Sequence, residues 1–349
     1  MAAIYTSKNF KENEFNTYDC TSMNLMRQKI PINDNKSFLY KPNYSISFMT
    51  LCLNKTVIPI VISCRYLENY FRIQNNDKII NVFYEDFVTC IMARNFENSG
   101  DDIFYTGLIN GKLTEWKIIP SIDYSNKNNK NNKKDKNKTY YNFKINELKN
   151  VYAHKSSITA IELYHKQNII ITSGEDKFVY IRKIFDFELL TVIDLTYSFG
   201  NPIVSETANV FPSMIKVSKL NLLYILLYDY DNKINFIRGY NLNGLFFAQT
   251  DPKICRDNKS IIQLNNISFS KNSNLVVGSY NSDKIYILES YDLKLIYVKE
   301  IKNKNKSKAP GNKMVEYYES LGEFYVLYDN EVNISTFKDE EEQNLFESF

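Results

Sequence analysis

The chain has 349 residues, with 43 Lys and Arg against 40 Asp and Glu, which leaves a formal net charge of +3. An excess this small does not indicate a nucleic-acid partner. Hydrophobic residues make up 44% of the chain and aromatic residues 15%, so a wholly disordered protein is excluded. The length fits two average domains or one large β-barrel or propeller.

Residues 1–36 are polar and show no clear period, so we expect a poorly ordered lead-in. From Ser45 the chain changes to short runs rich in β-branched and aromatic residues, bounded by Asn, Lys or Asp. The first of these runs are SISFMTLCL, VIPIVISC, NYFRIQ and KIINVF. Because each run has the length of a strand, the pattern predicts an all-β domain over residues 37–338, followed by an acidic tail at residues 339–349.

Residues 124–139 interrupt this pattern. Their central part, NKNNKNNKKDKNK, contains only Asn, Lys and one Asp, and it cannot contribute to a core. We therefore expect a disordered, solvated insertion. A basic patch for acidic lipid or RNA is the alternative, although the segment has no Arg and no aromatic residue for stacking.

The clearest internal repeat begins at Ala153 and His154. Two apolar strands follow, then a polar turn with Asp176, the strand FVYIRK and the strand ELLTVIDL. This order resembles a WD40 repeat, in which a Gly-His pair opens the unit and a Trp-Asp pair ends its third strand. Here Ala153 replaces the glycine, and Arg182 and Lys183 replace the Trp-Asp pair.

Similar units recur along the chain, at steps that mostly exceed the roughly 40 to 45 residues of a compact repeat. Their third strands are predicted to end near Gln74, Trp116, Arg182, Ile237, Leu288 and Ser335. The resemblance implies a WD40-type β-propeller of six or seven blades. The last unit lacks a fourth strand, and we expect residues 37–40 to supply it and close the ring.

The resemblance also implies roles for individual residues. His154 and Asp176 are expected to form a structural hydrogen-bond network, and Trp116, Asp231 and Asp329 occupy corresponding structural positions. With Thr172 or Ser173, the His-Asp pair also has the composition of a catalytic triad. The chain has two His and no zinc, P-loop, G-x-S-x-G or G-x-G-x-x-G motif. We therefore predict no catalytic, cofactor or metal site and no enzyme activity.

Two blocks resemble one family more narrowly. Residues 180–251, with FDFELLTVIDLTYSFGNPI and RGYNLNGLFFAQTD, and residues 104–118 are similar to the C-terminal propeller of BEACH-domain proteins, the neurobeachin and beige relatives. In that family a BEACH domain and a PH-like domain precede the propeller. The resemblance implies a protein-interaction scaffold in vesicle and membrane trafficking. This chain is then a fragment of a longer BEACH protein, the product of a truncated gene model or a stand-alone propeller.

Two other function classes stay open, a WD40 subunit of an RNA or chromatin assembly and a propeller hydrolase. The expected partners are other proteins, bound through propeller loops, with only indirect contact to membranes and no small-molecule substrate. The sequence does not identify a partner-binding residue. The long segment from Thr196 to Thr250 is either the core of a blade with an unusually long loop or a groove that binds a partner. Five Cys without a C-x-x-C pair, and no signal or spanning segment, predict a cytoplasmic protein.

Overall fold

A computed structural model gives the structure of the chain. The residues that it describes are 2–6, 14–19, 24–29, 44–53, 56–65, 68–75, 79–94, 102–123, 140–196, 209–251, 254, 256–257, 260–261, 264–270, 272–279, 284–300, 313–318, 323–328 and 331–338. In these residues the regular structure is almost entirely antiparallel β-sheet, with a 3-10 turn at His165–Gln167. None of the described helical structure is long and apolar enough to cross a membrane.

The chain divides into two compact units. The first unit comprises residues 41–176 and 182–188, and the second comprises residues 1–40, 177–181 and 189–349. Each has a hydrophobic core of its own. In the first unit, Leu51, Ile62 and Phe71 are fully buried, and in the second unit Leu275 and Val277 are. Burying a side chain of this size contributes about 1.5–3 kcal/mol to the free energy of unfolding.

Seven consecutive strands form the largest sheet, in sequence order. They are β4 (Tyr44–Leu53), β5 (Thr56–Arg65), β6 (Glu68–Gln74), β7 (Ile79–Ala93), β8 (Ile103–Leu108), β9 (Lys112–Asp123) and β10 (Tyr140–Tyr152). Strand β7 pairs with β6 mainly through residues 79–83 and with β8 through residues 88–93. It is therefore the fourth strand of one four-stranded module and the first strand of the next.

The predicted insertion at residues 124–139 lies outside the described residues. The strands on either side of it pair over their full length, from Asp123 with Tyr140 to Lys112 with Tyr152. The insertion therefore connects two paired strand ends, a position at which added length costs little closure entropy.

The sequence repeat that begins at Ala153 forms a four-stranded sheet with the predicted strand order. Its strands are β11 (Ile158–Tyr164), β12 (Ile169–Gly174), β13 (Phe178–Lys183) and β14 (Leu189–Asp194). Strand β12 is buried along its whole length, whereas β14 is largely exposed. This gradient explains why IIITSG begins as a continuous apolar run, since both faces of that strand are covered.

Two more four-stranded sheets follow, also in sequence order. They contain β15 (Val210–Val217), β16 (Leu222–Asp229), β17 (Ile234–Asn241) and β18 (Phe246–Gln249), and, after the short pair β19 (Arg256–Asp257) and β20 (Ser260–Ile261), β21 (Leu264–Phe269), β22 (Leu275–Ser279), β23 (Lys284–Leu288) and β24 (Leu295–Glu300).

Three-stranded sheets lie near the two ends of the sequence. Their strands are β1 (Ala2–Thr6), β2 (Glu14–Asp19) and β3 (Asn24–Lys29), and β25 (Lys313–Tyr318), β26 (Glu323–Tyr328) and β27 (Glu331–Lys338). The runs of β1 to β3 are too short and too polar to show a period in the sequence, and the poorly ordered lead-in at residues 1–36 stays a prediction. Residues 37–40, the predicted closing strand, and the tail at 339–349 lie outside the described residues.

The residues predicted to lie near the ends of third strands all fall in third strands. The predicted end is correct to within one residue for Gln74, Arg182 and Leu288, whereas the strands of Trp116, Ile237 and Ser335 continue for several residues. Gln74 ends β6, Trp116 lies in β9, Arg182 in β13, Ile237 in β17, Leu288 at the end of β23 and Ser335 in β27. The number of blades and the domain boundaries at residues 37 and 338 stay predictions.

Candidate protein-interaction surface

Several turns and strand ends in the first unit hydrogen-bond to one another in series, and we call them the turn surface. It consists of residues 84–87 of β7, the turns at residues 109–112 and 174–176, and residues 152–157. The Ile109 N–H donates to the Phe87 carbonyl oxygen at 3.0 Å, and the His154 N–H donates to the Gly111 carbonyl oxygen at 3.1 Å. Because each turn is bonded to the next, the turns form a rigid platform of the kind on which binding residues concentrate.

The His154 side chain links two of these turns. Its Nδ1 lies 2.9 Å from Asp176 Oδ1, and its Nε2 lies 2.9 Å from Thr172 Oγ1. The second oxygen of Asp176 accepts the Lys155 backbone N–H at 2.9 Å. Both ring nitrogens of the buried imidazole therefore have partners inside the protein, in the arrangement expected of a structural network.

Two glycines make room for this network, and sequence reasoning missed both. A Cβ atom on Gly174 would lie 2.3 Å from His154 Nδ1 and 2.7 Å from Asp176 Oδ1. Gly111 has φ +82°, and a Cβ atom there would lie 2.0 Å from the His154 carbonyl oxygen. The Asn-Gly pair at the turn was a signal for Gly111, since a positive φ favours glycine.

Trp116 lies in the core of the first unit. Its indole Nε1 donates to Thr106 Oγ1 at 2.9 Å, and its ring packs against Phe71 and Tyr84 with centroid distances of 5.2 and 5.3 Å. A satisfied N–H and edge-to-face aromatic contacts are what a structural tryptophan requires.

In the second unit, Asp231 occupies the exposed turn between β16 and β17. Its Oδ2 accepts the backbone N–H of Asn209, just before β15, at 3.3 Å, as Asp176 accepts that of Lys155 before β11. Sequence reasoning missed the buried carboxylate in this turn. Asp229 is fully buried and accepts the backbone N–H groups of Asp231 and Asn232 at 3.0 and 3.1 Å. Asp329 lies outside the described residues.

The chemistry open to the His154 network is limited by burial. Thr172, the hydroxyl nearest the imidazole, has no exposed surface, and Ser173 is equally buried. No cluster of His, Cys, Asp and Glu within the described ranges has the make-up of a metal site. The second histidine, His165, is half-buried, although the sequence predicted that it would be exposed. Its pKa is lowered mainly by burial and, to a smaller extent, by the positive charge of Arg94.

A groove of about 490 Å³ lies beside the turn surface, lined by Phe83, Tyr84, Glu85, Lys112 and Glu147. The Lys112 ammonium donates to the Tyr84 hydroxyl at 2.9 Å, and that hydroxyl donates to Glu147 Oε2 at 3.2 Å. The hydrogen bond to Tyr84 is the largest influence on the pKa of Lys112 and raises it, so the ammonium is charged at neutral pH.

Aromatic side chains are exposed around this groove and the turn surface. Phe83 is 70% exposed, Tyr152 69% and Phe87 41%. Exposed rings on a rigid frame are typical of binding anchors, because they bury a large area at a small cost in conformational entropy.

The segment from Thr196 to Thr250 contributes mostly to a blade core. Arg238 and Tyr240 in β17 are each 1% exposed, and Arg238 Nη1 donates to the Leu195 carbonyl oxygen at 2.8 Å. Residues 197–208, the long entry loop, lie outside the described residues. Leu245, at 66% exposed, is the large apolar side chain of this corner that faces solvent.

Comparisons with known proteins give one kind of match. No protein-family model matches the chain, and no curated protein matches it. Among solved structures, the chain is similar to the β-propeller domain of Cps50 (Swd1) from Myceliophteria thermophila, with 11% identity and a TM-score of 0.55 over 93% of this chain and 89% of that chain. The fold is an all-β propeller. The predicted fold class is therefore confirmed, and an identity of 11% carries no further conclusion about partners.

Proposed function

We propose that this propeller is a non-catalytic scaffold that binds other proteins through the turn surface. The observation that carries the proposal is the exposure of Phe87 in β7 and of Tyr152 at the end of β10, beside the hydrogen-bonded turns of the turn surface. Aromatic residues are enriched at protein interfaces, and rigid loops favour binding because little entropy is lost on association. The scaffold acts without a cofactor, a small-molecule substrate or a nucleic acid, and any membrane contact is indirect.

Two alternatives make different predictions. A WD40 subunit of an RNA or chromatin assembly would bind through basic segments such as residues 126–138, and its binding would weaken steeply with salt. A propeller hydrolase would need an accessible nucleophile, and the hydroxyl bonded to His154, that of Thr172, is buried. This burial favours the structural role of the His154 network.

For the cellular setting we propose membrane trafficking, with the protein in the cytoplasm and peripheral to endomembranes. The support is the resemblance of residues 104–118 and 180–251 to BEACH-family propellers. The identities of captured partners test this setting: trafficking proteins agree with it, and chromatin or RNA-processing proteins point to the alternative.

The interaction role is testable by capture from native-host cells with the tagged full-length protein. We expect a defined set of proteins to copurify in reciprocal experiments, before and after nuclease treatment. The double variant Phe87→Ser/Tyr152→Ser should lose these proteins, because it removes two exposed anchors without touching the core.

The matched control is Phe185→Ser/Leu148→Ser, which removes two other exposed side chains of the same unit, 67% and 48% exposed. It should retain the partners. Equal loss in the test and control variants, or loss of all partners on nuclease treatment, contradicts the proposal.

A further inference from the structure

We infer that the groove beside β7 binds an arginine side chain in an extended segment of a partner protein. The inference rests on the proposed scaffold function and names the chemistry of one contact. Three features carry it: the uncompensated charge in the groove, the exposed ring beside that charge, and the edge of residues 79–83 of β7 that pairs with no described strand.

The charges of the groove compensate one another except at one position. Lys112 Nζ lies 3.9 Å from Glu147 Oε1, and the Tyr84 hydroxyl bridges the two side chains. Glu147 Oε1 also accepts the Asn150 amide at 2.6 Å. Glu85 is exposed and makes no hydrogen bond or ion pair with the residues that the structure describes. The uncompensated charge of the groove is therefore one carboxylate.

Phe83 provides an aromatic face on the same side as this carboxylate. Exposed side chains alternate along β7 from Ile79 to Phe87, so Phe83 and Glu85 project to one face of the strand. The Phe83 ring contacts Tyr70 at a centroid distance of 5.5 Å, which fixes its position. The neighbouring Tyr84 ring already has the Lys112 ammonium 5.4 Å from its centroid.

A ring and a free carboxylate side by side fit a cation. The cation is attracted to the face of the ring and makes a charge-assisted hydrogen bond to the carboxylate. Of the two common cations, a guanidinium fits better, because its plane stacks on a ring while its N–H groups reach a carboxylate. A groove of about 490 Å³ is large enough for such a side chain and its neighbours.

The strand itself favours an extended partner. Residues 79–83 of β7 pair with β6, and β8 pairs with β7 only from residue 88 onward. Residues 79–83 therefore pair on one edge only with the strands that the structure describes. An extended peptide adds to such an edge through its main chain and places alternate side chains towards the groove.

The test measures fluorescence anisotropy of a dye-labelled Ser-Arg-Ser-Arg-Ser peptide titrated with the full-length protein. We expect saturable binding that weakens about tenfold or more in Phe83→Ala and in Glu85→Gln, since each removes one of the two contacts. A peptide with citrulline in place of arginine keeps the shape without the charge and should bind no better than the variants do.

Phe185→Ala and Glu188→Gln are the controls, an exposed phenylalanine and an exposed glutamate elsewhere in the unit. They should leave the affinity unchanged. Absence of saturable binding, equal binding of the citrulline peptide, or unchanged affinity in Phe83→Ala and Glu85→Gln overturns the inference. If Phe83→Ala fails to fold, Glu85→Gln and the citrulline peptide decide the question.

The two proposals fail in different ways. Partner capture that depends on Phe87 and Tyr152, without arginine-peptide binding, leaves the scaffold function standing and rejects the groove as an arginine site. Peptide binding without capture of any protein partner rejects the scaffold function.

Discussion

Asp176 uses its two carboxylate oxygens on different partners, the His154 ring and the Lys155 backbone. With the Thr172 hydroxyl on the other ring nitrogen, the imidazole is bonded on both sides. A network of this kind stabilises more than its separate bonds, because each bond fixes the geometry of the next. Breaking the network is expected to lower the free energy of unfolding substantially, since His154 is buried and cannot form replacement hydrogen bonds with water.

We predict that Asp176→Ala lowers the free energy of unfolding by about 2–3 kcal/mol. The substitution leaves the buried His154 Nδ1 without its acceptor, and an orphaned buried group costs about 1–3 kcal/mol. It also removes the acceptor of the exposed Lys155 N–H. Urea unfolding followed by intrinsic fluorescence measures the change.

Asp231→Ala is the matched control, because Asp231 is exposed and its bond to the Asn209 N–H is long, at 3.3 Å. We expect it to cost about 0.5–1 kcal/mol. A stable Asp176→Ala protein that has lost an enzymatic turnover would instead show a catalytic aspartate.

At the residue scale, sequence patterns predict the spacing of the repeat residues better than they predict which side chains are buried. The Ala153-His154 opening and the position of Asp176 could be read from the repeat, and the contact between His154 and Asp176 is present in the structure. Asp229 could not be distinguished from Asp231, because in the run Tyr-Asp-Tyr-Asp only the fold decides which carboxylate turns inward. The space limit at Gly174 likewise exists only once His154 is in place.

At the scale of elements, the strands were predictable and the way they join was only partly so. ITAIELY and FVYIRK are strands as predicted, because alternation and β-branched residues carry the signal within each run. The length of β7 was missed, since no Gly, Pro or Asn marks the point near residues 84–87 where it leaves one module and enters the next.

One set of side-chain contacts within the first unit could not be predicted from the sequence. The Lys149 ammonium lies 3.3 Å from Glu115 Oε2, donates to the Ile184 carbonyl oxygen at 2.9 Å and lies 4.6 Å from the centre of the Phe187 ring. It also donates to the Phe185 carbonyl oxygen. A single side chain of β10 thus anchors the turn at residues 184–188.

We predict that Lys149→Met lowers the free energy of unfolding by about 1–3 kcal/mol and speeds amide hydrogen exchange at residues 184–188. Glu115 is 5% exposed, and removing its cation leaves a buried charge without compensation. Lys117→Met, an exposed lysine on β9, should change stability by less than about 0.5 kcal/mol. Equal effects of the two substitutions would contradict the anchoring role.

At the scale of the whole molecule, internal repetition predicted the propeller despite 11% identity to the similar solved domain. A blade needs only a strand period and turn residues at intervals, so the fold forms here without Gly-His and Trp-Asp pairs. The repeat pattern does not determine which partner the protein binds. The choice of partner depends on which side chains stay exposed after folding, and Phe83, Phe87 and Tyr152 resemble core residues in the sequence.

Lysine-directed crosslinking with mass spectrometry on the purified complex with a captured partner tests the scaffold account most directly. Lys155 lies on the turn surface and Lys166 lies at the opposite end of β11, and both are exposed. With reactivity normalised to the free protein, we predict partner crosslinks at Lys155 and few at Lys166. Crosslinks concentrated at Lys166, or spread evenly over both lysines, would contradict binding through the turn surface.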